Sequence, residues 1–88
     1  MEAALIDEIR DLLVVTLRLD RDPRSIDPEA PLYSGELGLD SLDAAALLSA
    51  VERHFCVQIT DADLARAALD TVAGIAQLVS DKGDRGPD

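Results

Sequence analysis

Few residues in this 88-residue chain could take part in chemistry: one histidine, one cysteine, no tryptophan and a scatter of serines among eighteen acids. Their tightest grouping is Glu36-Leu37-Gly38-Leu39-Asp40-Ser41-Leu42-Asp43. A serine that merely caps a helix would stand at the N-cap itself. Here Asp40 takes that place with Asp43 at N3, so Ser41 falls in the first helical turn with its hydroxyl free. Both carboxylates favour the positive end of the helix dipole. Exposed N–H groups and the same dipole would stabilise a phosphate diester attached there. Spacing alone leaves two readings open: a serine that serves the helix start, and a serine that carries a modification.

Other constellations fail on geometry. His54 lies thirteen residues beyond Ser41 on the same predicted helix, about 20 Å along its axis, so it cannot be that serine's general base. Gly38-Leu39-Asp40-Ser41 is no nucleophile elbow either, and His54 reads as a surface or boundary residue. Cys56, at the end of that helix, reads as an incidental half-buried thiol, because no cationic helix N-terminus adjoins it. A single cysteine forms no internal disulfide and offers no CxxC pair, which fits a reducing cytoplasm. Asp20-Arg21-Asp22 resembles the start of a calcium loop, but Arg24 and Ser25 stand where an acid and a glycine are needed. No metal ligands and no catalytic residues are expected.

Charge narrows the partners. Eighteen acids against eight bases give a net charge of −10, which excludes nucleic-acid binding through a basic patch and disfavours an anionic membrane surface. No apolar run reaches spanning length, so no membrane insertion is expected. At 48% hydrophobic the chain can still build a core. With Tyr33 and Phe55 its only aromatics, that core must be aliphatic.

The elements that would position Ser41 are helical throughout. Leu5, Ile9, Leu12, Leu13, Thr16 and Leu17 line one face of a first helix over 1–19, with Arg10, Asp11 and Arg18 on the other. A long connection, 20–40, holds Pro23, Pro28 and Pro31 with Gly35 and Gly38. Leu32, Tyr33 and Leu37 are spread along it, as in a loop pinned to a core. The second helix starts at Ser41 and repeats Leu42, Ala45, Leu48, Val51 and Phe55 as its inward stripe. Thr60-Asp61-Ala62-Asp63 forms a capping box for a short third helix through Ala68. A fourth helix runs over 71–81 with Val72, Ile75, Leu78 and Val79 inward. The expectation is an all-α small four-helix bundle with a short third helix and a long loop between helices one and two, domain 1–82, and a polar tail 83–88.

Gly38-Leu39-Asp40-Ser41-Leu42-Asp43 resembles the phosphopantetheine attachment motif of acyl carrier proteins, whose core is Asp-Ser-Leu. The resemblance extends over most of the chain. Val51-Glu52 followed by Phe55 is similar to the family's helix-two ending, Ile59-Thr60-Asp61 to the start of its third helix, and Asp70-Thr71-Val72 to the start of its last. The resemblance implies a non-enzymatic carrier. Ser41 would bear 4′-phosphopantetheine, transferred from coenzyme A by a phosphopantetheinyl transferase, and its thiol would hold acyl groups as thioesters. Asp40, Leu42 and Asp43 occupy the flanking positions that transferases and partner enzymes contact. Those partners would be acyl-loading, ketosynthase-type and acyltransferase enzymes, met by a monomer through electrostatic steering. Leu42, Leu47, Val51, Phe55, Ile59, Leu64, Leu69, Ile75 and Leu78 are candidates for the core and for any cleft sheltering the acyl chain, with Leu47 the one whose side could turn toward partners.

Departures from the family pattern point away from housekeeping fatty-acid synthesis. Ala46 stands where a partner-facing Glu is frequent, Ser49 where a methionine is, and Arg53-His54 where acids are. From Glu36 to Asp70 the acids Glu36, Asp40, Asp43, Glu52, Asp61, Asp63 and Asp70 still outnumber Arg53 and Arg66. These features favour a dedicated carrier in a fatty-acid-like or polyketide-type pathway. A carrier of aminoacyl or peptidyl groups would share the fold, although Asp40 stands where such carriers usually have Gly. An unmodified acidic helical adaptor would need no arm at all.

Overall fold

Gly, Pro and capping residues divide the chain into its helices. The computed structural model describes residues 2–33, 38–66 and 69–83, and among them lie four α-helices: α1 (Glu2–Leu17), α2 (Ser41–Phe55), α3 (Asp61–Arg66) and α4 (Val72–Gly83). No strand occurs among the described residues, so the expected all-α bundle is the fold. Glu36 and Leu37, the predicted end of the third helix at Ala68, and tail residues 84–88 fall outside the described set.

α1 has no Gly or Pro to interrupt it and packs on both α2 and α4. Ile9 and Leu13 are fully buried, while Leu5, Ile6, Leu12, Val14 and Leu17 pack partly against the core. The helix ends in a Schellman motif, with Leu19 N–H donating to Val14 O at 3.0 Å and Arg18 N–H to Val15 O at 3.3 Å. Arg18 therefore takes the left-handed conformation (φ 53°) that glycine fills more cheaply. The outward placement expected for Arg10 is corrected. Its side chain is only 15% exposed, pairs with Asp7 and donates through Nη1 to Ile26 O at 2.9 Å. Its long stem allows that reach, the guanidinium acting as a strut between α1 and the loop.

The long connection is pinned, as its dispersed apolar residues predict. Pro23–Ser25 forms a short 3-10 turn that the sequence reading did not resolve, capped by Asp22, whose carboxylate accepts Arg24 N–H at 2.9 Å. Asp22, which stands in the stretch that resembles the start of a calcium loop, thus serves as a helix cap. Ile26, Leu32 and Leu39 plug the core. Backbone bonds fasten them: Leu32 N–H to Asp70 O at 2.8 Å, Ala73 N–H to Pro28 O at 2.9 Å and Leu39 N–H to Leu32 O at 2.9 Å.

The inward stripe of α2 is corrected. Its buried residues are Leu47, Ala50 and Val51, whereas Leu42 is 79% exposed and Ala45 is exposed. Leu42 is thus no core residue. Leu47, the candidate whose side was least settled, is wholly inside. Cys56 closes the helix in the left-handed region (φ 57°) and is exposed, not half-buried. His54, on the surface as expected, lies 3.4 Å from Glu8. α4 contributes Val72, Ile75, Ala76, Leu78 and Val79 to the core, and Thr71 Oγ1 accepts Gly74 N–H at 3.0 Å to start it. Every buried hydrophobic residue described is aliphatic.

α3 begins with the predicted capping box: Asp63 N–H donates to Thr60 Oγ1 at 3.2 Å and Thr60 N–H to Asp63 Oδ2 at 2.9 Å. The same carboxylate receives Lys82 Nζ from the last turn of α4 at 2.8 Å. Lys82 first, then the Thr60 N–H, hold the Asp63 carboxyl down at about 2, against the opposing cost of its desolvation.

Candidate functional site

The site is built by three consecutive conformational choices before α2. Gly38 adopts φ 52°, a left-handed turn open to glycine at no steric cost, and the chain then drives Leu39 inward to 6% exposure. Asp40 follows in extended conformation (φ −99°, ψ −176°) as N-cap. Its carboxylate accepts Asp43 N–H at 2.9 Å, and Asp43 Oδ2 accepts Asp40 N–H at 3.3 Å, closing a full capping box. Since Asp40 does the capping, Ser41 enters as the first helical residue, exposed, with no hydrogen bond from its hydroxyl to another described residue. The N–H groups of that first turn have no intrahelical acceptor, and the positive end of the helix dipole points outward there.

Beside Ser41 opens a groove of about 710 Å³, lined by Tyr33, Leu39, Asp40, Ser41, Ala44, Leu48, Leu64, Leu69 and Asp70. Leu39, Ala44 and Leu48 form one apolar wall and Leu64 with Leu69 the other, while Asp40, Ser41 and Asp70 supply polar groups. Tyr33 ties loop to wall, donating from its hydroxyl to Leu69 O at 3.0 Å. Partial burial, and then the nearby Asp70 charge, push the phenol above its ordinary pKa, so it stays a donor.

Asp40, Ser41 and Asp43 come together at one helix end, and Leu42 projects into solvent beside them. Of the cleft candidates, Leu64 and Leu69 line the groove. Leu47, Val51 and Ile75 lie at 0% exposure in the core behind it, and Phe55 and Ile59 are partly buried against that core. Sequence reading missed Tyr33, Leu39, Ala44, Leu48 and Asp70 as lining residues. The spacing of Ser41, Ala44 and Leu48 on one helical flank was the available signal.

An exposed hydroxyl at a helix N-terminus, with an apolar groove at its side, fits a phosphodiester-linked arm and the chain it would carry. The comparisons with known proteins agree. The family described as a phosphopantetheine attachment site matches residues 7–79. The chain is 39% identical over 62 residues to an acyl carrier protein of Chlorobium phaeovibrioides, covering 70% of this chain and 76% of that protein. It is 31% identical over 80 residues to one of Campylobacter curvus (91% and 97% covered) and 34% identical over 80 residues to one of Bdellovibrio bacteriovorus (91% and 96%).

Proposed function

The chain belongs to the acyl carrier protein family, non-catalytic carriers of covalent 4′-phosphopantetheine, and we propose that its attachment point is Ser41. The observation that carries this is the Ser41 hydroxyl, exposed in the first turn of a helix that Asp40 caps and opening beside the groove. When bound, the group supplies a thiol that holds acyl cargo as a thioester. Ser41 Oγ would provide the ester oxygen, and the positive end of the α2 dipole would favour the phosphate. Asp40 and Asp43 keep the local field negative, so the transferase and later partners present basic surfaces to it and associate fast without binding tightly. Leu42, 79% exposed, gives those partners an apolar contact at the same spot.

Leu39, Ala44, Leu48, Leu64 and Leu69 shelter the near part of a neutral acyl chain, while Asp40 and Asp70 disfavour a free carboxylate on the cargo. Ala46 and Ser49 are exposed, leaving the middle of the outer face of α2 without charge or bulk. That neutral face supports service to a dedicated fatty-acid-like or polyketide-type system, with acyl-loading, ketosynthase-type and acyltransferase partners. Among the described residues no helix is long and apolar enough to cross a membrane. The assignment is tested by mass spectrometry after incubation with coenzyme A and a promiscuous transferase. Wild type should gain one phosphopantetheine mass, and Ser41→Ala none while keeping its circular dichroism. A wild type left unmodified where a control carrier is converted would overturn it.

A further inference from the structure

α3 is an unusual helix for a groove wall. Asp61, Ala62 and Ala65 are exposed and Leu64 is 48% exposed, so among its described side chains none that is apolar is buried. The one it does bury is a carboxylate, Asp63, at 6% exposure. Six residues do not hold a helix in water by themselves. Asp63 Oδ2 ties α3 to α4 by taking Lys82 Nζ at 2.8 Å, and it also closes the helix's own cap by accepting the N–H and hydroxyl of Thr60 at 2.9 and 3.0 Å. Lys82 is itself largely covered, its side chain 18% exposed. A buried carboxylate stays buried only while it is paired. Leu64, its neighbour, is a wall of the groove beside Ser41, and Leu69 follows just beyond α3. Leu64, next to Asp63 in the same short helix, moves with it, whereas Leu69 is anchored in the core.

We propose that the Asp63–Lys82 pair is an ionic latch that sets the position of α3 and thereby the length and bulk of acyl chain the groove shelters. This rests on the reading of the groove as the acyl site. Neither residue lines the groove, so both are positioning residues that act through Leu64. An apolar anchor would hold the wall by shape. An ion pair holds it by charge, so removing either partner weakens the hold without deleting any apolar contact. Leu47 and Val51 lie in α2, and Ile75 lies in α4 seven residues before Lys82; all three are at 0% exposure in the core and serve as the internal reference.

Hydrogen exchange on the unmodified protein tests the latch without involving Ser41. In Lys82→Met the amides of residues 64–66 should exchange at least tenfold faster than in wild type, with Val51 and Ile75 unchanged, and Lys82→Arg should restore protection. Asp63→Asn should loosen the same amides, and the double variant no further than either alone. Unchanged exchange in α3, additive effects, or an equal rise at Val51 and Ile75 would overturn the latch. The second arm uses protein loaded with straight acyl chains of increasing length. The gain in melting temperature should level off at a shorter chain in wild type than in Lys82→Met, since burial of more chain stabilises the folded state by linkage. The same plateau in both would overturn the link to cargo. If instead Ser41→Ala accepts the arm, the attachment assignment fails while the exchange result stands.

Discussion

Asp40 does two things at once in this structure, and substitutions can separate them. Its carboxylate accepts Asp43 N–H at 2.9 Å as helix cap, and its charge stands beside the exposed Ser41. Asp40→Ala removes both. Loss of such a cap costs about 1 kcal/mol, and for a domain of this size that lowers the melting temperature by roughly 4–8 °C. Asp40→Asn keeps an acceptor of nearly equal capping strength and gives up only the charge–dipole attraction, about 0.3–1 kcal/mol. Its melting temperature should fall by less than that of the alanine variant, which loses the cap as well as the charge. The rate of phosphopantetheine transfer should divide differently. A basic transferase loses the same steering charge in both variants, so both should be modified about three- to tenfold more slowly at low ionic strength, equivalent to about 0.7–1.4 kcal/mol. In 1 M salt, where charges are screened beyond about 3 Å, the asparagine variant should approach wild type. Circular dichroism melts and timed mass spectrometry supply both readouts. An asparagine variant modified at the wild-type rate in low salt would refute steering by Asp40, and an alanine variant melting with wild type would refute the cap.

The corrected phase of α2 is checked by a pair of truncations. Leu47→Ala, at a fully buried site, should cost about 3–5 kcal/mol by urea unfolding, whereas Leu42→Ala, 79% exposed, should stay within about 0.5 kcal/mol. Acid unfolding checks Asp63. Its carboxyl titrates at about 2 when folded against an ordinary 3.8, so its stabilisation is present above about pH 4 and is lost as the pH falls toward 2. Wild type and Asp63→Asn should therefore differ in melting temperature at pH 5 and converge by pH 2, and a difference that persists unchanged at pH 2 would contradict the assignment.

Punctuation made the fold legible. Prolines and glycines bound the connection, Asp40 and Thr60 mark helix starts by capping chemistry that works over three residues, and all of this is local. The signals that failed are those where a long or tightly placed side chain overrides residue type. Arg10 reads as a solvent residue because it is charged, yet its stem spans from α1 to Ile26 O. Asp63 reads as a capping acid and is one, but its buried pairing with Lys82 joins positions nineteen residues apart, which no local pattern encodes.

The groove was illegible for a related reason, and one fact of helical phase accounts for it. Residues advance about 100° around an α-helix, so Ser41, Ala44 and Leu48 fall within about 60° of one another, on the flank next to the buried stripe of Leu47, Ala50 and Val51. Leu42 lies roughly 130° round from that flank, on the side of exposed Ala46 and Ser49. Anchoring the inward stripe on Leu42, as its type invites, turns the helix and hides the groove flank among supposed core positions. Anchoring it on the capping box would have set the phase from Ser41, whose hydroxyl must stay open if it carries an arm. The groove then follows from the spacing of Ala44 and Leu48 behind it. The exposure of Leu42, the burial of Leu47 and the position of the groove are consequences of a single rotation, fixed by where Asp40 starts the helix.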